Sequence, residues 1–206
     1  MAAAKYITAS CIISKQTVYK NGKIVFADKS SALPDFFNEL YKSLEITYAR
    51  FYKMDSLNKL GWLAAEVLLK DSFNKEQYQP EEIGIILSNA NASLDTDQRY
   101  LASVADGASP SLFVYTLPNI VTGEICIRNN FKGEDAFFLS DNFDAEFTES
   151  YVSGLLDDQV LQVCICGWVE LLGNEYKAAL FLVEKVNNAD AVPFTKEHLL
   201  KLFEDK

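Results

Sequence analysis

Five consecutive residues, Ile83-Gly84-Ile85-Ile86-Leu87, carry no polar side chain and stand between Pro80-Glu81-Glu82 and a polar stretch over residues 89–95. A strand of this composition is apolar on both faces, so it has to be covered on both faces. The rest of the chain offers strands to flank it and helices to cover it. Residues 6–14 read as a strand. Thr17-Val18-Tyr19-Lys20 and Lys23-Ile24-Val25-Phe26 flank Asn21-Gly22, a two-residue hairpin signal because both turn positions favour positive φ. Pro34-Asp35 opens a helical segment to residue 44, and Asp55 is placed to N-cap a helix over residues 56–69. Leu57, Leu60, Ala64, Val67 and Leu68 fall on one face of that helix, the face expected to meet the core. A short helix follows, ending near residue 104, and Asp106-Gly107-Ala108-Ser109-Pro110 breaks the chain ahead of an extended segment. A helix over 120–129, a short strand over 136–139 and a helix over 144–156 come next. Residues 159–171 and 176–186 read as long strands around Gly173-Asn174, and 195–203 as a final helix. Strands alternating with helices predict an α/β layered domain around a largely parallel sheet.

The 206 residues, 49% of them hydrophobic, suffice for one core, and no repeat, linker or low-complexity stretch divides residues 1–206 into more than a single domain. The best candidate for a membrane span, residues 60–69, is too short and contains Glu66. Residues 1–14 have no long apolar block before a small-residue cleavage site, and read as a first strand instead of a signal peptide. Cys11, Cys126, Cys164 and Cys166 lack zinc-site spacing, and only one histidine is present to assist them. Cys164 and Cys166 alternate along an expected strand and so face one layer of core. Reduced, buried thiols fit a cytoplasmic protein. No metal or cofactor is expected. A net charge of −10 argues against a nucleic-acid partner, whose phosphates reward clustered Lys and Arg.

Several segments together resemble a known family. Lys132-Gly133-Glu134-Asp135-Ala136-Phe137-Phe138-Leu139-Ser140-Asp141-Asn142 is similar to the segment of β-ketoacyl-acyl carrier protein synthases in which a Lys/Arg-Gly-Pro run leads through a short strand to an Ala-Cys elbow opening a helix. Tyr52-Lys53-Met54-Asp55 with the following Leu57 to Glu66 resembles the family's Arg-Met-Asp segment and alanine-rich helix. Pro80 to Ser88 resembles its next strand, and Ser109-Pro110 through Leu117-Pro118-Asn119 to Thr122-Gly123-Glu124-Ile125 its Pro-Asn run. Gly167-Trp168-Val169-Glu170 falls where the family has Gly-Gly-Ala-Glu. The likeness covers roughly residues 50 to 170 in family order. It implies a thiolase-like half domain with a five-stranded mixed, largely parallel sheet flanked by helices.

The resemblance places Asn142 at the nucleophile's position, the family's usual glycine-to-cysteine distance beyond Gly133. An amide cannot become a thiolate, so acyl transfer by the ordinary route is excluded there. The resemblance also sets the end of this chain near the end of the first of the family's two similar halves, with both catalytic histidines in the second. His198, in Thr195-Lys196-Glu197-His198-Leu199-Leu200, matches neither histidine motif. No catalytic residue is therefore assigned, and the chain is not expected to run condensation by itself.

What the resemblance implies instead is a silent partner akin to a chain-length factor, in polyketide or fatty-acid-like biosynthesis such as that of aryl polyenes. Non-covalent binding of an acyl chain or small molecule at the vacated site, or an acyltransferase completed by a partner, are the alternatives. The family's elbow strand pairs with its counterpart across a two-fold axis, so Ala136-Phe137-Phe138-Leu139 implies a homodimer, or a heterodimer with a ketosynthase, that buries Phe137 or Phe138. Acyl carrier protein is a further implied partner. It is acidic, and docking it would call on basic residues such as Arg50, Lys53, Lys59 and Arg128. Ser140 with His198 lacks the glycines of a hydrolase elbow. Asp141, Asp144, Glu146 and Glu149 are the acidic residues that a helix N-terminus favours, metal or not.

Overall fold

Turn and cap chemistry sets where most elements begin. The structure, a computed structural model, describes residues 3–186 and 190–205. Strand β1 (Tyr6–Ser14) leads into a hairpin of β2 (Thr17–Lys20) and β3 (Lys23–Ala27). Asn21 and Gly22 both take left-handed φ, 49° and 76°, as a two-residue type I′ turn requires. Lys15 and Gln16 do likewise between β1 and β2, at 47° and 55°, although neither residue type announces a turn. Helix α1 (Leu33–Ser43) has Pro34 in its first turn, and α2 (Ser56–Leu69) begins at its expected cap, Asp55. Then come β4 (Ile83–Asn89), α3 (Leu94–Ser103), the short α4 (Pro110–Phe113) and α5 (Ile120–Asn129). The remainder is β5 (Asp135–Leu139), α6 (Ala145–Asp157), β6 (Val163–Leu172), β7 (Glu175–Glu184), β8 (Val192–Pro193) and α7 (Lys196–Glu204).

The strands form one sheet in the order β3-β2-β1-β7-β6-β4-β5, with β8 paired to β1. Strand β4 runs parallel to both β5 and β6, while β7 is antiparallel to β6 and to β1. Thus β5, β4, β6 and β1 point one way and β7 the other, which is the five-stranded mixed sheet that the resemblance implies. The whole sheet is wider, eight strands among the described residues. The hairpin and β8 extend it beyond β1, in segments outside the region of likeness.

Both faces of β4 are covered. Ile85 and Leu87 join a core with residues of α1, α2 and α5, among them Phe36, Trp62 and Ile125. Ile86 turns to a second core with Val152 and Leu156 of α6 and Leu199 of α7. Cys164 and Cys166 share that second layer, as their alternation predicts, whereas Ile165 faces the first.

Three local expectations need correction. The stripe on α2 is too narrow: Gly61, Trp62, Leu63 and Ala65 are buried as well, because the helix lies between the sheet, α1 and α5. Strand β6 starts at Val163 and not at residue 159. Gln159 turns left-handed (φ 60°), and the Val160 and Leu161 amides both donate to the Leu155 carbonyl, so residues 159–161 close the end of α6. The segment after Pro110 is helical, with Ser109 capping Leu112 N at 3.4 Å.

At Gly167 the β6 backbone has φ +145°, and a Cβ there would sit 2.0 Å from the Ala179 carbonyl oxygen of β7. A side chain would force the two central strands apart. Gly167→Ala is therefore expected to destabilise the fold by roughly 3 kcal/mol or more. Gly154→Ala in α6, where a Cβ meets nothing within 4 Å, is expected to gain about 0.5–1 kcal/mol. Urea denaturation of the two variants beside the wild type measures both.

Candidate functional site

Strands β4, β5 and β6 run parallel, so their carboxyl ends open on one edge of the sheet, where open α/β sheets place their sites. Two built loops occupy that edge. After β4, Asn89 is fully buried and folds the chain back on itself. Its Oδ1 accepts from Ala92 N and its Nδ2 donates to the Ala92 carbonyl, both at 2.9 Å. Glu170, at the end of β6, accepts from the amides of Ala90 (2.7 Å) and Asn91 (3.1 Å). The Glu of the Gly-Gly-Ala-Glu resemblance is thus a clamp on this loop. Family spacing located Glu170 but gave no hint of its partners, which are backbone groups far off in sequence.

Beside it, Asp55 fastens α3 to α2. This buried carboxylate accepts from Asn58 N (2.8 Å), Asn58 Nδ2 (2.7 Å) and the Thr96 hydroxyl. Burial raises its pKa, and the hydrogen bonds from Thr96 and Asn58 partly offset that rise.

The second loop joins β5 to α6. Ser140 N donates to the Asn89 carbonyl at 3.0 Å, and Ser140 Oγ to the carbonyl of Asn142. Phe143 is buried against Phe203 (centroids 4.7 Å apart), Phe181 and Trp168. That anchor leaves Asn142 turned out into solvent. Asp144 caps the helix, accepting from Phe147 N at 2.8 Å, so Asn142 lies ahead of the first turn of α6. Around it is an open groove of about 490 Å³, lined by residues 140–146 with Lys196 and Leu200. It is not a closed pocket of the kind that would hold an acyl chain.

The other residues singled out from the sequence are otherwise engaged. His198 Nδ1 lies 3.1 Å from the hydroxyl of its own cap, Thr195, and Ser140 bonds to Asn142. Glu149 accepts from Lys196 N (2.8 Å), and Glu146 pairs with Lys196 Nζ (3.2 Å). Among the described residues no three His, Cys, Asp or Glu side chains come together as a metal site. Burial pushes the Cys11, Cys164 and Cys166 thiols far up and Cys126 to about 12, so these thiols are not nucleophiles at neutral pH.

Three of the four basic residues named for carrier docking face partners within the chain, while Lys53 is exposed. Arg50 pairs with the buried Glu124 (2.8 Å), Arg128 with Glu66 (3.2 Å) while lying over the Tyr48 ring, and Lys59 sits over Phe51.

Strand β5 forms the end of the sheet. Ile85 N donates to Glu134 O, and the register pairs Ile85 with Asp135, so the amides of Ala136 and Phe138 turn towards β4. Those of Asp135, Phe137 and Leu139 point away from the sheet.

No protein-family model and no curated protein matches the sequence. Solved structures do. A complex of a type II polyketide synthase acyl-carrier protein with its ketosynthase matches with TM-score 0.62 and 14% identity, over 89% of this chain and 64% of that one. The ishigamide ketosynthase/chain length factor gives 0.62 and 15%, over 92% and 64%. The ketosynthase ApeO in complex with its chain length factor ApeC, from Xenorhabdus doucetiae, gives 0.56 and 12%, over 90% and 80%. This chain spans under two thirds of the length of the first two. At these identities the likeness shows the fold, which is that of ketosynthase and chain-length-factor chains.

Two outcomes follow from this geometry. Asp55→Asn keeps an acceptor at the cap without a buried charge and is expected to stay within about 1 kcal/mol of wild type, while Asp55→Ala loses roughly 2 kcal/mol. Because folding raises the Asp55 pKa, its contribution is fully present below the ordinary carboxyl value and is lost as pH climbs through the raised one. Asp55→Asn removes that slope, which thermal melts across acid pH record. Asn142→Cys places a thiol beside Asp141 and Asp144 and outside the helix, so it is expected to titrate at or above about 8.5 and to alkylate only at high pH. The variant is expected to form no malonyl-dependent condensation product.

Proposed function

We propose that residues 1–206 form a single ketosynthase N-terminal-like domain that performs no acyl condensation itself. It serves as the chain-length-factor-like partner of a ketosynthase in polyketide or fatty-acid-like biosynthesis. The observation that carries this reading is the contrast between the two ends of the sheet.

Strand β3 is guarded. Its register with β2 shifts after Phe26, leaving Val25 as an extra, bulged residue, and Lys23 stands at its start. Short, bulged, lysine-bearing edges are how proteins prevent strand addition. Strand β5 is equally short but has neither the bulge nor the lysine. Its five residues pair with β4 without a shift, it holds no Lys or Pro, and its one charged side chain, Asp135, accepts from the Thr122 hydroxyl at 2.9 Å. Leu139 and Phe147 of α6, 60% and 39% exposed, leave apolar surface at and beside this edge, Phe147 lying edge-on to Phe138. An unguarded apolar edge in a folded protein is an interface.

The silent part of the reading rests on the elbow. Asn142 offers no nucleophile, and the only histidine is tied to its own helix cap. Solved structures of the same fold that are described as ketosynthase/chain-length-factor complexes support the choice of partner. With Arg50, Arg128 and Lys59 committed to internal partners, an acyl carrier protein would approach through the ketosynthase.

Light scattering of the chain mixed with a ketosynthase from the same source is expected to show a one-to-one complex. Leu139→Pro removes an outward-pointing amide at an exposed position and spares the pairing with β4. It is expected to weaken the complex at least roughly tenfold while leaving the melting temperature within a few degrees of wild type, the cost of one lost interface hydrogen bond and of a partner carbonyl left unpaired. A ketosynthase that binds wild type and Leu139→Pro equally removes β5 from the interface. A stable acyl adduct on the native chain, seen by intact mass after incubation with an acyl thioester, overturns the silent reading.

A further inference from the structure

We infer that the free edge of β5 is electrostatically barred from pairing with a second copy of this chain and selects a partner strand with lysine or arginine at both ends. The inference rests on β5 being the pairing edge, as proposed above. Two-fold pairing of an edge strand with its own copy runs antiparallel, so the start of each strand meets the end of the other.

Both ends are acidic here. Glu134 and Asp135 stand exposed at the start of β5, and Asp141, Asp144 and Glu146 stand exposed just past its end. The nearby cations cancel only one of them. Lys196 pairs with Glu146 at 3.2 Å and Lys132 lies 3.9 Å from Glu81, which leaves Glu134, Asp135, Asp141 and Asp144. Self-pairing therefore sets carboxylates against carboxylates at both ends of a short apolar strip, whatever the register. The strip itself, Ala136-Phe137-Phe138-Leu139, attracts any apolar edge alike. The charges at its ends discriminate, because juxtaposed like charges suppress the wrong partner and opposite charges steer the right one. A partner edge carrying lysine or arginine at both ends turns the same four carboxylates into an attraction.

Salt separates the two cases, and sedimentation velocity reads it. The wild type at about 20 µM is expected to be monomeric in about 50 mM sodium chloride, with any self-association tightening towards about 500 mM as repulsion is screened. Asp141→Lys/Asn142→Lys changes two exposed positions and presents a basic end to the acidic start of its copy. It is expected to self-associate at least roughly tenfold more tightly at low salt, and to loosen as salt rises. Adding Leu139→Pro to that variant is expected to restore the monomer, which locates the contact at β5. A tight wild-type dimer at low salt, or a double-lysine variant that stays monomeric, overturns the inference. A wild type that binds no ketosynthase while self-association follows the stated salt pattern defeats the function proposed above and supports the selection against self.

Discussion

The two-sided burial of β4 and β6 is the constraint on which the rest of the molecule depends. Each strand sends alternate residues into two different cores, Ile85 and Ile165 into one, Ile86, Cys164 and Cys166 into the other. Both layers of helices are therefore required at once. Because the two strands are parallel neighbours, their loops leave on the same side. Glu170 from β6 can then hold the Ala90 and Asn91 amides after β4, and Asp95 can accept from Gly173 N (3.0 Å) at the next turn. The crowded loop edge follows from strand direction, and strand direction follows from the need to cover both faces.

Signals that act within a few residues were readable before the fold was known. Asn21-Gly22 made its hairpin, and Asp55 caps the helix that follows it. The alternation of Cys164 and Cys166 gave the right layer. What stayed hidden depends on contacts remote in sequence. The all-round burial of α2 comes from its place between the sheet, α1 and α5, which no periodicity reveals. The late start of β6 comes from a left-handed Gln159, an unusual residue for that conformation. The hairpin was legible as a hairpin, but its place at the end of the sheet was not, since the choice of neighbour for β1 is a tertiary matter.

The candidate site was legible as a position and not as an environment. Counting from Gly133 located Asn142 at the junction of a strand and a helix, and the junction is there. The count could not show that Phe143 takes the buried place in that junction, or that Asp144 is the cap. These details matter for chemistry. A thiolate gains from a helix N-terminus only when it sits in the first turn, and it loses next to carboxylates. The surroundings of Asn142 thus oppose an anionic nucleophile for reasons separate from the amide itself.

What the molecule keeps is a stiff edge. Strand β5 is pinned at its start by Asp135 to Thr122, at its end by Ser140 N to Asn89 O, and through its length by five register pairs with β4. Phe137 packs into one core while Phe138 packs into the other, against Phe147 and Tyr151. A strand fixed on both faces and at both ends has little conformational freedom left to lose on binding, which lowers the cost of adding a neighbour. The amides of Phe137 and Leu139 already point outward in register, so a partner strand meets a template and not a loop. This property is independent of the Asn142 side chain, because the edge depends on the backbone of β5 and the two cores behind it. In the function proposed above, assembly asks only for this backbone edge, and the residues that hold β5 in place would serve it without any reactive side chain.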